Sequence, residues 1–161
     1  MKLKYSKVQV VIEIVAGIIL IYMFVNLFLK WDSIPNWVPT HYNIYGEIDA
    51  WGDKNNVLFV PIMGAGIYAI MTMVTLFPSI WNMPVTITES NKGKVYGAMK
   101  TMLLLLKAEI LGLFLFMNYN VVSRRTLSPY FLIIAIGIVA ITIIYIVAWT
   151  ISDIKELKSI T

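Results

Sequence analysis

The chain has 161 residues, of which 59% are hydrophobic and 14% charged, with a net charge of +4 and no cysteine. Globular domains average about 45–50% and about 25% in those two classes, so a water-soluble domain is disfavoured and a membrane protein expected. Disulfides and thiolate metal sites are excluded, and no clustered basic face marks a nucleic-acid binder.

Four apolar blocks, 8–29, 57–81, 101–119 and 129–151, each approach the roughly 20 residues that a bilayer-crossing helix needs. The expected class is therefore an all-α integral membrane protein, a single domain over 1–161 with four transmembrane helices. The first block follows MKLKYSKVQVV, which mimics a signal peptide. Its apolar run exceeds the roughly 7–15 residues of such a segment, and no small-x-small cleavage pattern follows, so an uncleaved first span is expected.

Between the first two blocks lies residues 30–56, the polar interlude WDSIPNWVPTHYNIYGEIDAWGDKNN and the lysine before it. It carries the single histidine, His41, the acids Asp32, Glu47, Asp49 and Asp53, and Trp31, Trp37 and Trp51. Pro35 and Pro39 stiffen the chain, and Gly46 and Gly52 permit turns. The aromatic rings suit a membrane–water interface. An ordered extracytoplasmic cap is expected, since long loops inside compact domains are usually functional or disordered and this composition argues against disorder.

The connection 82–100 contains Thr86-Ile87-Thr88-Glu89, which fits a capping box. Ser128-Pro129 suits an N-cap followed by proline at the first helical position. Lys2, Lys4, Lys7, Lys92, Lys94, Lys100, Lys155 and Lys158 fall on one side of the four spans, against Lys30, Lys54, Arg124 and Arg125 on the other. By the positive-inside rule both termini are then cytoplasmic, with the adjacent arginines a local exception.

Ionisable residues at bilayer depth cost about 2.5–3.5 kcal/mol, so Glu13, Lys107 and Glu109 each need a reason. Helical spacing places Lys100, Lys107 and Asn118 on one face of the third span and Glu109 on the other. Glu13 and Lys107 lie at similar depths and are expected to pair. Glu109 needs another partner, a water-filled pocket or a proton. These charges join helices structurally or serve a proton or ion relay.

Pro35, then Val38-Pro39-Thr40-His41-Tyr42-Asn43, Gly46-Glu47-Ile48-Asp49 and Trp51-Gly52-Asp53-Lys54 resemble the signature of the bacterial domain of unknown function at the N-terminus of SdpI-type immunity proteins. Asp53 stands where that pattern has serine, and four spans stand where the immunity protein has six. The stretch MPVTITESNKGKVYGAMKTMLLLLKAEI is similar to the cytoplasmic-loop and third-span region of shorter members. The resemblance implies a bacterial plasma-membrane protein that protects its producer from a secreted toxic peptide or senses one. It carries over no catalytic residues.

Candidate ligand-binding residues are His41, Asn43, Glu47, Asp49, Trp51 and Asp53; the intramembrane polar set is Glu13, Lys107, Glu109 and Asn118. One imidazole plus carboxylates suits zinc or manganese in type, with His41 and Asp49 the weak candidates, but no second histidine or calcium-loop spacing accompanies them. The competing expectation is that His41, Asn43 and Asp49 hydrogen-bond to hold the turn. No Ser-His-Asp set is visible, so neither an enzyme nor a cofactor is expected. The acidic loop favours a cationic peptide; a membrane partner protein and a homo-oligomer, with Ala65-x-x-x-Ala69 as packing motif, are the other partners considered. A small transporter using Glu13, Lys107 and Glu109, and a metal-dependent membrane hydrolase, are the alternative functions.

Overall fold

The computed structural model describes residues 4–160, leaving aside the side chains of 154–160. Lys2 and the side chains of Lys155 and Lys158, used above for orientation, lie outside the described residues. The element order is α1 (Lys7–Lys30), β1 (Trp37–Tyr42), β2 (Ile48–Asp53), α2 (Phe59–Leu76), α3 (Lys92–Val122) and α4 (Phe131–Ile160), with short 3-10 turns at Trp31–Ser33, Lys54–Leu58 and Pro78–Ile80. All four helices are long and apolar enough to cross a membrane. At 1.5 Å per residue the 31 residues of α3 extend about 46 Å, more than the about 30 Å of hydrocarbon, so its polar first turns project beyond that layer.

Several helix ends are set by local chemistry. Ser6 caps α1 in a reciprocal capping box with Gln9, at 3.2 and 3.0 Å. The capping box expected at Thr86–Glu89 does not form. Instead the Asn91 side chain accepts from Thr88 N at 2.8 Å and donates to Thr86 O at 2.9 Å, closing a turn that delays α3 until Lys92. A short amide satisfies the loop backbone locally, and the helix waits for it. Ser128 Oγ accepts from Tyr130 N at 3.3 Å and its carbonyl from Phe131 N at 2.9 Å, so it does turn the chain into α4. The second apolar block breaks at Phe77-Pro78, because the residue before a proline avoids helical angles.

Helix α3 is the axis of the bundle, with α1, α2 and α4 each packed against it. Its buried Leu104, Lys107, Leu111 and Asn118 face α1 and α2, and Leu111 joins Ala16 and Met23 in one core cluster. The other faces of α1 and α4 are apolar and uncovered: Phe28, Ile133 and Ile144 are exposed, as expected of surfaces that meet lipid. The four apolar helices are compatible with a multi-pass membrane protein.

The all-helical expectation is corrected in one place. The interlude folds as an antiparallel hairpin, Trp37 opposite Asp53 and Tyr42 opposite Ile48, with an irregular register between Pro39 and Tyr42. A lone hairpin is marginal in water. Here Val38 is fully buried on a second core cluster with Leu27, Ile34, Val57 and Val121, so strand burial against α1 and α3 supplies the missing stability.

Candidate functional site

The hairpin turn is built by Asn43 and Glu47. Asn43 Oδ1 accepts from Tyr45 N at 2.9 Å and Glu47 N at 3.0 Å, while its amide donates to Glu47 Oε2 at 2.8 Å. Gly46 completes the turn at φ 79°, the left-handed region that glycine enters without steric cost. A Cβ there would also lie 2.6 Å from Leu127 O, because Leu127 N donates to Gly46 O at 2.8 Å. The tip is thus bolted, backbone to backbone, onto the α3–α4 connection.

Further ties join hairpin and bundle. The Tyr42 hydroxyl donates to Arg125 O at 3.2 Å, and burial pushes its pKa up to about 12, which keeps the donor proton in place. The Arg124 guanidinium lies 4.9 Å from the Trp51 ring and so ties β2 to the α3–α4 connection; Lys54, 4.8 Å from Trp31, joins the two segments flanking the hairpin, and Arg125, 5.6 Å from Tyr119, stays on α3 and its own connection. Each such contact contributes about 0.5–1 kcal/mol where exposed. The arginine pair that departs from the charge pattern therefore has ring partners at this end.

Exposure alternates along β2, with Ile48 and Ala50 half-buried and Asp49, Trp51 and Asp53 exposed; in β1 Val38 and Pro39 are both buried, Tyr42 is half-buried, and Trp37 is exposed. His41, four residues from Trp37 on the same strand, is exposed on that side too, and its Nδ1 meets Asp49 Oδ1 at 2.6 Å. Asp53 accepts from Asn55 N at 2.8 Å and caps the turn that leads into α2. Serine and aspartate are near-equivalent N-caps, so the aspartate here fills a role that a serine also fills.

The six candidate binding residues therefore divide. His41, Asp49 and Trp51 sit on the outward face; Asn43 and Glu47 hold the turn; Asp53 is on the face with one oxygen engaged in capping. Among the described residues no third histidine, cysteine or carboxylate joins His41 and Asp49 into a group that could hold a metal ion.

The intramembrane set divides too. Lys107, fully buried, reaches both carboxylate oxygens of Glu13 at 2.6 and 2.7 Å and Thr72 Oγ1 at 3.0 Å, while the Tyr68 hydroxyl donates to Glu13 at 2.9 Å. One residue from α1, two from α2 and one from α3 satisfy each other. Glu109 faces away, accepting from Thr142 of α4 at 2.5 Å, and its other oxygen is buried without a partner. Asn118 donates to Val57 O at 3.4 Å, tying α3 to the foot of the hairpin. Lys100 is buried with the Tyr5 ring 3.3 Å from its ammonium. Sequence reasoning missed Tyr68, Thr72 and Thr142; a hydroxyl four residues from another inside an apolar block, as at Tyr68 and Thr72, is the signal that marks one helical face.

A family described as a domain of unknown function, DUF1648, matches residues 17–65. That segment runs from within α1 through the hairpin into α2. No curated protein and no solved structure matches the chain.

Proposed function

We propose that this is a bacterial plasma-membrane protein of the SdpI-like type that recognises a secreted cationic peptide through the outward face of its hairpin, in an immunity or sensing role. The observation that carries this reading is the rigid docking of a hairpin whose outer side gathers Trp37, His41, Asp49, Trp51 and Asp53. Exposed aromatics beside carboxylates complement a cationic amphipathic peptide, and a face already held by the Gly46–Leu127 and Tyr42–Arg125 hydrogen bonds loses little entropy on binding. With the hairpin outside, both termini are cytoplasmic, in line with the lysines beside α1 and α3.

Cells lacking the protein, challenged with the secreted peptide fraction of a producing culture, test this. Wild-type protein should restore viability; a Trp51→Ala/Asp49→Asn variant that accumulates normally in the membrane should not. Full protection by that variant would defeat the reading.

One observation favours a transporter as the second reading: Glu109 keeps a buried oxygen unpartnered, while Glu13 and Lys107 satisfy each other. A proton relay would then depend on Glu109, and Glu109→Gln should abolish any activity driven by a pH gradient. Undiminished activity would remove it. The metal-dependent hydrolase has no comparable support.

A further inference from the structure

At the end of the bundle away from the hairpin, α4 leans on α3 and leaves a slot of 530 Å³ between them, closed on its third side by Gln9 of α1. Its floor is Gly93, Gly97 and Thr101, and its wall is Ile141, Tyr145 and Trp149. Two polar ties hold the wall in place. Thr142 bonds Glu109 at the deep end, and Lys94 meets Asp153 at 3.0 Å at the mouth. Lys94 and Leu105, which both line it, are eleven residues apart on α3, so the slot runs about 16 Å. That is close to the thickness of one leaflet, half of the about 30 Å hydrocarbon layer.

A side chain at Gly93 or Gly97 would find no heavy atom within 4 Å, so the floor is open space. A helix with its side chains is about 10–12 Å across, roughly 80–110 Å² in section, whereas 530 Å³ spread over that length leaves about 33 Å², room for one hydrocarbon chain and not for a helix. The mouth is cationic. Lys94 lines it, Lys4, Lys7 and Lys92 lie on the same bundle end, and Glu89 and Asp153 are the acids paired with Lys92 and Lys94. Basic pockets between membrane helices are suited to anionic headgroups.

We propose that this slot binds one acyl chain of an anionic phospholipid from the surrounding leaflet, with the lipid phosphate held at Lys94. The lipid would fill the gap that keeps α4 from closing on α1, and so set the position of the helix that carries Thr142.

Native mass spectrometry of the full chain released from detergent, with phosphatidylglycerol or phosphatidylcholine added, tests the assignment. Wild-type protein should retain phosphatidylglycerol about fivefold better, the effect of one lysine at an anionic surface. Lys94→Gln should reduce retention to the phosphatidylcholine level. Asp153→Asn breaks the same ion pair but keeps the cation, and should retain phosphatidylglycerol at least as well as wild type. Gly97→Leu should lower retention of both lipids by filling the floor, and Gly93→Leu serves the same end where Gly97→Leu fails to fold. Equal retention of the two lipids, indifference to Lys94→Gln, or unchanged retention with leucine on the floor would overturn the proposal. So would a Gly93→Leu protein that keeps its lipid but loses a dimer, which would make a second copy the occupant.

Discussion

Glu13 and Lys107 meet at 2.6 Å with the lysine fully buried, whereas His41 and Asp49 meet at the same distance with 67% and 42% of their side chains exposed. Equal geometry carries unequal energy. Across the bundle, the ammonium is fully buried and the Glu13 side chain only 24% exposed, so each depends on the other and losing one strands its partner. On the hairpin, water screens the pair, and its loss costs little stability. The first contact, with Tyr68 and Thr72 bonded to it, joins three helices; the second is free to be remade with a ligand. Burial, not residue type, separates the part that holds the fold from the part that can bind.

The largest expected effect tests the buried side. Lys107→Met should destabilise the protein by about 3–5 kcal/mol, and adding Glu13→Gln should recover much of that loss. Thermal unfolding in detergent, followed by circular dichroism, measures both; equal melting of Lys107→Met and wild type would show that the two charges do not depend on each other.

Next comes the joint between the regions. Gly46→Ala forces a side chain into a left-handed turn and against Leu127 O, for about 1–3 kcal/mol of strain. Hydrogen exchange at 43–47 should accelerate while the α1–α3 core keeps its protection. Uniform acceleration would mean that hairpin and bundle form one cooperative unit.

On the exposed side, His41→Ala should change stability by no more than about 0.5 kcal/mol. A loss of several kcal/mol in the same unfolding assay would place the dyad among the structural contacts and remove it from the recognition face.

The smallest effect concerns alkaline pH. Tyr42 has its folded pKa raised to about 12 from 10.0, so the fold favours its protonated form. Its contribution is fully present below about pH 10, where folded and unfolded phenols both keep their proton, and is lost as pH rises through about 12. Measured by thermal unfolding in detergent, the stability owed to this phenol should therefore stay constant to about pH 10 and fade above it. In a Tyr42→Phe variant the part of that change owed to this phenol should vanish; an identical profile would detach Tyr42 from the effect.

Much of this was visible along the chain. Long apolar blocks announce helices because hydrocarbon demands internally paired backbone, and Val8–Leu29 lies wholly within α1. The pairing of Glu13 with Lys107 was legible from depth alone, since two opposite charges in apolar spans are costly apart. The hairpin was not: its strands are short, interrupted by Pro39 and Gly52, and joined by Asn43–Glu47 without a tight two-residue turn signal. Nor could local pattern separate Asn43, Glu47 and Asp53, which satisfy nearby backbone or each other, from His41, Asp49 and Trp51, which point away from it.

By itself the sequence determined that four segments seek an apolar medium, that a stiff aromatic and acidic interlude separates the first two, and that three charges within the spans need partners. Only tertiary structure decided that Gly46 meets Leu127, that Tyr68 and Thr72 complete the Glu13–Lys107 cluster, and that α4 stands off α1 to leave a slot. The reason is physical. Hydropathy and helix period are local properties summed along the backbone. Close approach between residues far apart in the chain depends on how already-formed helices settle against one another, and no single segment encodes that distance.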